Sequence, residues 1–158
     1  MSNAVEEFLI AKNVPFESFT FDVSDEENGR AEAEKLQLTV TTIYKTLVLK
    51  GNKTGTVIAL VPLDGRLDYK KTAKASGNRK VGFPPMEYVL AATGYPHGAN
   101  TPIGIFMQHP DYVQIFDTSI LAHEEVIVSS GELGHSVKVQ VNDLLTLIAP
   151  IQADILSA

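Results

Sequence analysis

A lysine on the apolar face of a predicted strand is the residue of this sequence that most clearly could do chemistry. Side chains alternate over residues 43–50, which places Lys45 on the same face as Ile43, Leu47 and Leu49. An ammonium group among apolar side chains is costly unless it is paired or faces a ligand. Lys45 is therefore a candidate to hold a carbonyl oxygen or a phosphate. The alternative is a lysine at a sheet edge whose methylene stem covers apolar surface.

A loop rich in glycine and proline, over residues 95–104, is the second candidate. It contains Gly98 and Gly104, with Pro96 and Pro102 near its ends. Such loops can direct backbone N–H and C=O groups at a ligand. The glycine spacing matches neither a dinucleotide-binding fingerprint nor a P-loop. Composition alone leaves a ligand-binding loop and a structural turn both open.

A segment of small residues from Ser129 to His135 follows a predicted apolar strand. Serine hydroxyls and glycine backbone at a strand end can bind a small polar ligand. The same residues can also form an ordinary hairpin, which is the interpretation that they favour when taken alone.

The sequence offers no evident metal site and no evident covalent nucleophile. It has no cysteine, and its 4 histidines form neither a His-x-His nor a His-Glu-x-x-His pair. A Gly-x-Ser-x-Gly nucleophile elbow is absent, which disfavours a serine hydrolase, although a triad is recognised by geometry rather than by position. We therefore expect neither a metal nor another cofactor.

The candidate residues belong to helices that alternate with strands. Strands are predicted over residues 16–21, 43–50, 56–63, 80–83, 112–117, 125–130 and 136–141. Helices are predicted over 4–13, 31–37, 69–76 with Asp68 as its cap, and 85–93, followed by a last helix capped by Asn142 or Asp143. A near-continuous apolar run over 56–63 indicates a central strand that is covered on both faces. The pattern predicts one α/β domain over residues 1–158 with a mixed sheet.

Charge is distributed unevenly along the chain. The net charge of −6 disfavours a protein that coats nucleic acid indiscriminately. Residues 66–80 nevertheless carry a net charge of +5, against −11 for the rest of the chain. A local basic strip on an acidic protein suits one phosphate-bearing end of a nucleic acid, and the alternative is a solvated helix face. The strip consists of Lys70, Lys71, Lys74, Arg79 and Lys80.

Neither membrane insertion nor export is indicated. No apolar run approaches the ~18 residues that a membrane span needs. The N-terminal residues lack the basic start and apolar middle of a signal peptide. The absence of cysteine is compatible with a reducing compartment. We expect a cytoplasmic protein with no membrane partner.

Four segments of the chain, taken in order, resemble one known protein family. Tyr44 to Leu47 is similar to its lysine strand, and Leu63 to Lys71 to the segment that leads into its basic helix. Thr93 to Gly104 resembles its glycine-rich loop, and Ser129-x-Gly131 its small-residue strand end. The family is the YbaK/ProX family of aminoacyl-tRNA editing domains, and the similarity runs through about residues 5–150.

This resemblance implies a fold, a reaction and partners. The fold is α/β, with a mixed, mostly antiparallel, barrel-like sheet and surrounding helices, related to the editing insertion of bacterial prolyl-tRNA synthetases. The reaction is metal-independent hydrolysis of the ester between a wrong amino acid and the tRNA 3′ end. In cysteine-specific members the substrate thiol is thought to attack the ester, and a Cys-tRNA(Pro)-like substrate is favoured here. The partners are the acceptor end of an aminoacyl-tRNA and, as a candidate, prolyl-tRNA synthetase.

The resemblance also assigns roles to residues of this chain. Lys45 and Gly98 take the catalytic positions, with Gly98 contributing backbone groups. The expected substrate-binding residues are Phe21, Thr46, Ala99, Thr101, Pro102, Ser129, Ser130, Gly131 and His135. The basic strip is expected to bind the tRNA.

The chain departs from the cysteine-specific pattern at several positions. Glu132-Leu133 replaces a Lys-Arg pair, Ser136 replaces an aspartate, Ala99 replaces a glycine, and Phe21 lies near the position of a tyrosine. These differences bear on which amino acid is recognised. They also keep open an alternative function, a non-catalytic module that binds tRNA or a synthetase.

Overall fold

The computed structural model describes residues 3–20 and 40–158. Phe21, the predicted loop 22–30 and the predicted helix 31–37 lie outside the described residues. The helices are α1 (Ala4–Ala11), α2 (Tyr69–Ser76), α3 (Met86–Thr93), α4 (Pro102–Gln108) and α5 (Val141–Ile148). The strands are β1 (Phe16–Thr20), β2 (Tyr44–Gly51), β3 (Gly55–Pro62), β4 (Val81–Gly82), β5 (Val113–Asp117), β6 (Glu125–Ser129), β7 (His135–Gln140) and β8 (Ile151–Ala153). Within the described ranges, every helix is too short to cross a membrane.

A polar cap explains where α2 begins, and glycines explain where α2 and α3 stop. Asp68 accepts a hydrogen bond from the Lys71 backbone N–H at 2.9 Å, which satisfies a free donor in the first turn of α2. Gly77 and Gly94 follow α2 and α3 with φ of 79° and 78°, a left-handed conformation that costs glycine little. The predicted cap at Asp68 and the predicted stops at both glycines are confirmed.

The described strands form two sheets. A five-stranded sheet has the order β4–β2–β3–β5–β8, and a three-stranded antiparallel sheet has the order β1–β7–β6. In the larger sheet β2 pairs antiparallel with β3 and β4, whereas β5 pairs parallel with β3 and β8. The mixed α/β fold is therefore confirmed. The barrel-like closure stays a prediction, because the described strands make two sheets that meet at the isolated bridge of Ile43 with Ile127.

The apolar run of β3 lies at the centre of the larger sheet, as expected. Val57, Ala59 and Val61 pack in a core on the α2 side and are fully buried. Ile58 and Leu60 point to the opposite face, where Leu60 joins the core formed with α1, α5 and the smaller sheet. Alternate side chains of one strand thus pack in cores on both faces of the sheet, which is why the run is apolar without interruption.

The loop expected over 95–104 is shorter than predicted, because α4 begins at Pro102. Thr101 accepts a hydrogen bond from the Gly104 backbone N–H at 3.3 Å and caps this helix. Proline is favourable in a first helical turn, where its missing N–H would have no partner. The same proline and glycine were interpreted from sequence as loop residues, which concealed the helix.

The last helix also begins differently from expectation. Val141 is its first residue and Gln140 its cap, without a side-chain cap hydrogen bond. Neither Asn142 nor Asp143 is the cap. The Val141 backbone N–H instead donates to the Glu124 carbonyl at 2.9 Å, so a backbone contact fixes the start of α5. The three-residue strand β8, which follows α5, was not predicted.

Candidate active site

A cavity of about 600 Å³ opens along one edge of β2. On this edge β2 pairs with β4 at Lys50 and Gly51, and Ile43 bridges to Ile127 of β6. Among the described strands none pairs with the edge between these two points, so the cavity occupies the gap. Its walls come from residues 43–48 of β2, from the segment around β4 and α3, from the loop after α3, and from the β6–β7 hairpin.

Lys45 lies on this edge, lines the cavity and is half-buried. Its partner across the strand pair, Val61, is fully buried, and Leu47 and Leu63 line the same cavity. The lysine thus stands on a mainly apolar wall. A cation in such surroundings is less screened than in bulk water, so it interacts more strongly with an anionic oxygen.

Thr46, the next residue, has a buried hydroxyl oxygen. It lines the cavity, and its Oγ1 is buried with no hydrogen-bond partner among residues 3–20 and 40–158. A buried hydroxyl without a partner costs about 1–3 kcal/mol. Because this oxygen is buried, a bound substrate would reach it only after the side chain turns toward the cavity.

The loop after α3 places Gly98 at the cavity in a conformation that favours glycine. Its φ is 87°, in the left-handed region. The loop around it is held by internal hydrogen bonds: Thr93 Oγ1 donates to Asn100 Oδ1 at 2.8 Å, and the Ala99 N–H donates to the Pro96 carbonyl at 3.0 Å. The backbone of Gly98 is therefore held in position beside the cavity.

The small-residue segment forms the turn of the β6–β7 hairpin, which is the interpretation that its residues favoured. The Ser130 N–H donates to the His135 carbonyl at 3.1 Å, and the His135 N–H donates to the Glu132 carbonyl at 3.0 Å. Ser129 and His135 line the cavity from the two ends of this turn. The His135 imidazole lies 3.6 Å from the Glu132 carboxylate, so the two groups form an ion pair when the histidine is protonated.

The structure brings only part of the predicted site to the cavity. Lys45, Thr46, Gly98, Ser129 and His135 line it. Phe21 lies outside the described residues. The remaining predicted substrate-binding residues are absent from the described lining; they are Ala99, Thr101, Pro102, Ser130 and Gly131.

The positions of these remaining residues explain their types. Ala99 and Thr101 are fully buried, and Ser130 is buried and accepts a hydrogen bond from Asn3 at 3.1 Å. Gly131 has a φ of 101°, and a Cβ there would lie 2.9 Å from the ring of Tyr95. They support the loop and the hairpin from behind the cavity wall.

Sequence reasoning missed several lining residues. His97 and Asn100 lie within the predicted loop, and Ser136 was noted only as a departure from the family pattern. Phe83 and Met86 also line the cavity, although they are about half exposed. The sequence did not indicate that these two residues belong to the site, because no local pattern shows that β4 ends beside β2.

The predicted basic strip is exposed along its whole length. Lys71 differs from the others because its ammonium contacts Asp154 at 2.9 Å and the Leu156 carbonyl at 2.8 Å. The hydrogen bond between Lys71 and Asp154 raises the pKa of Lys71 and lowers the pKa of Asp154. Lys70 and Lys74 lie one helical turn apart on α2 and form one cationic face.

Candidate metal ligands do not gather in the described part of the chain. Residues 3–20 and 40–158 contain no group of three or more histidine, aspartate or glutamate side chains able to hold a metal ion. The chemistry that the cavity itself offers is a cation, a positioned backbone segment, hydroxyl groups and two imidazoles on an apolar wall. Such a set can bind a polarised carbonyl and stabilise an oxyanion.

Comparisons with known proteins agree on one family. The model of the aminoacyl-tRNA editing domain matches residues 27–147. A protein of Enterococcus faecalis named as a Cys-tRNA(Pro)/Cys-tRNA(Cys) deacylase, EbsC, is 37% identical over 135 residues, which are 85% of this chain and 80% of that protein.

Solved structures show the same fold. The crystal structure of the hypothetical protein APE2540 matches with a TM-score of 0.84 at 22% identity, over 98% of this chain and all of that one. A protein described as a trans-editing enzyme for prolyl-tRNA synthetase matches with a TM-score of 0.81 at 22% identity, over 100% and 99% of the two chains. Because the family model covers most of the chain and a relative exceeds 30% identity, the chain belongs to the aminoacyl-tRNA editing domain family.

Proposed function

We propose that this protein is an aminoacyl-tRNA deacylase, which hydrolyses the ester between a wrong amino acid and the 3′ end of a tRNA. The observation that carries the proposal is that Lys45, Gly98 and Ser129, from three distant segments, line one cavity in a chain of the editing family. The size of the cavity supports it as well, since about 600 Å³ accommodates an aminoacyl group and part of a nucleoside.

The proposed reaction needs no covalent enzyme intermediate. Water adds to the ester carbonyl, an oxyanion forms on the former carbonyl oxygen, and its collapse releases the free amino acid and the tRNA 3′-hydroxyl. Lys45 stabilises this oxyanion or an adjacent phosphate. The backbone of Gly98 orients the ester. In a cysteinyl ester the substrate thiol can attack first, which releases the tRNA and leaves a cyclic thioester that water opens.

We propose a Cys-tRNA(Pro)-like substrate, on the basis of the name of the Enterococcus relative. Two departures from the cysteine-specific pattern lie where they would affect this choice. Ser136 lines the cavity, and Glu132 is 3.6 Å from the imidazole of His135, which also lines it. Ala99 is fully buried and absent from the described lining, so its replacement of a glycine bears less on the amino acid bound.

The further proposed site residues follow from the same placement. Thr46, Ser129 and His135 contact the amino acid or the terminal ribose. Phe21, which is not among the described residues, stays a proposed substrate-binding residue. Ala99, Thr101, Pro102, Ser130 and Gly131 act by supporting the wall. The basic strip binds the phosphate backbone of the tRNA, mainly through Lys70 and Lys74. We further propose that the protein acts in the cytoplasm beside prolyl-tRNA synthetase, the enzyme that a structural relative is described as serving.

The test is a panel of tRNAs charged with cysteine, alanine, serine or the matching amino acid. We expect measurable hydrolysis of at least one mischarged tRNA, and loss of that hydrolysis in Lys45→Ala. The loss should be about 100-fold or more, the usual contribution of a preorganised group at a developing oxyanion. Lys45→Arg should not restore the rate, because a planar guanidinium does not replace a compact ammonium.

Thermal unfolding of the same variants separates catalysis from folding. Lys45→Ala should keep a melting temperature close to that of the wild type, because residues that serve activity are commonly not the ones that stability depends on. A variant that melts much lower, and whose folded fraction still hydrolyses at the wild-type rate, would make Lys45 a structural residue. Tight tRNA binding without any hydrolysis across the panel would favour the non-catalytic binding module.

A further inference from the structure

An aromatic pair lies at the mouth of the cavity. Phe83 is 54% exposed and Tyr69 is 48% exposed, and their ring centroids are 5.8 Å apart with the planes 86° from each other. Phe83 follows β4 and lines the cavity, and Tyr69 is the first residue of α2. The two rings thus meet edge to face, a contact that favours this orientation of Phe83.

This patch is continuous with the cavity rather than scattered on the surface. Met86 is 53% exposed and lines the cavity with Phe83. Single exposed apolar side chains are common in soluble proteins, whereas neighbouring ones beside a cavity mark a binding surface. A ligand held in the cavity would extend over Phe83 and Met86 where it emerges.

The charges beside the patch indicate the kind of ligand. Tyr69 is followed on α2 by the exposed lysines Lys70 and Lys74. An exposed aromatic ring next to cations is the combination that binds single-stranded nucleic acid, because bases stack on the ring while phosphates meet the charges. An apolar protein segment would account for Phe83 and Met86 but would gain nothing from the two cations.

We propose that Phe83 is the stacking platform for the terminal base of the tRNA 3′ end, and that Tyr69 positions its ring. This inference rests on the proposed function, because the scissile ester is carried by the ribose of that same nucleotide. The base must therefore lie within one nucleotide of the cavity. Tyr44 also lines the cavity but is only 3% exposed, whereas Phe83 is 54% exposed and therefore accessible to a base.

The probe is an uncharged acceptor-stem minihelix with 2-aminopurine as its 3′-terminal base, since stacking quenches this fluorophore. Wild-type protein should quench the fluorescence on binding. Phe83→Leu, which keeps an apolar side chain but removes the ring, should abolish most of the quenching and raise Kd about 5-fold or more. Phe83→Trp should restore the quenching and the wild-type Kd. Leu121→Ala is the control, because Leu121 is also 54% exposed and is absent from the described lining.

The outcomes separate this inference from the proposed function. Unchanged quenching and unchanged Kd in Phe83→Leu, with mischarged tRNA still hydrolysed by the wild type, would overturn the stacking platform alone. Loss of binding to prolyl-tRNA synthetase in Phe83→Leu, with minihelix binding intact, would also overturn it and make the patch a protein interface. Failure of the wild-type protein to bind the minihelix and to hydrolyse any mischarged tRNA would overturn the proposed function itself.

Discussion

At the scale of single residues, the cavity wall combines a side chain whose hydrogen bond is made within the fold with one whose hydroxyl has no partner among the described residues. Asn100 accepts a hydrogen bond from Thr93 at 2.8 Å, and this internal contact fixes it within the loop. Thr46 Oγ1, in contrast, has no partner among the described residues. A fold gains nothing from a buried hydroxyl without a partner, so the two residues should respond differently to substitution.

Thr46→Val should separate stability from activity. Valine has nearly the shape of threonine and removes the unsatisfied hydroxyl, so the melting temperature should stay the same or rise. The deacylation rate should fall if the hydroxyl binds substrate. Thr93→Val is the control, since it breaks the hydrogen bond to Asn100 and should lower the melting temperature. Unchanged activity in Thr46→Val would remove Thr46 from the site.

Gly98→Ala tests whether the backbone beside the cavity must keep its path. A residue with a Cβ in the left-handed region costs about 1–2 kcal/mol, so stability should fall by about that amount. Gly77→Ala provides the matched control, because Gly77 has a φ of 79° and lies at the end of α2 with open space for a Cβ. Both variants should be similarly destabilised, and only Gly98→Ala should lose activity below its melting transition. Equal activity in the two variants would contradict a role for Gly98.

At the scale of elements, the accuracy of prediction depended on whether the signal was local. The cap at Asp68 and the stop at Gly77 fixed α2 at Tyr69–Ser76, because capping is decided by neighbouring residues. Helix α4 was missed because Pro102 and Gly104 are typical of loops, and only the cap at Thr101 reveals its start. Strand β8 was missed because three residues carry little pattern, and its pairing with β5 is a tertiary contact.

Helix α2 should bind tRNA through its cationic face rather than through all of its lysines. Lys70→Glu with Lys74→Glu should weaken tRNA binding and reduce the slope of log K against log salt. The reduction should be about 1.4 if both lysines contact phosphates of a single strand. Lys12→Glu, which reverses an exposed lysine after α1, should change the slope little. An equal effect of Lys12→Glu would indicate general attraction rather than a specific strip.

Lys71 should contribute less to this binding than its two neighbours on α2. Its ammonium is already held by Asp154 and the Leu156 carbonyl. An exposed ion pair of this kind adds little stability, so Lys71→Gln should leave the melting temperature nearly unchanged. Measuring the tRNA affinity of Lys70→Gln and of Lys71→Gln checks this, and we expect Lys70→Gln to lose more affinity. A larger loss of affinity in Lys71→Gln would show that the tRNA displaces Asp154.

At the scale of the whole molecule, sequence reasoning identified the family, the lysine strand and part of the cavity wall, but not the segment around β4 that completes the wall. The wall joins β2, the end of β4, the loop after α3 and the β6–β7 hairpin. These segments meet because β4 pairs with β2 only at Lys50 and Gly51, which leaves part of a strand edge open. Strand pairing of this kind is not encoded locally, so Phe83 and Met86 could not be assigned to the site.

The charge of the whole chain predicts how much of a tRNA the protein contacts. The net charge is +5 over residues 66–80 and −11 over the rest, so most of the surface repels a polyanion. Binding should therefore be confined to the acceptor end. An acceptor-stem minihelix should bind with a Kd within tenfold of that of the full tRNA, a difference below ~1.4 kcal/mol. Measuring both at one salt concentration checks this, and a much tighter full-length complex would place further contacts on the tRNA body, against the repulsion expected from the acidic surface.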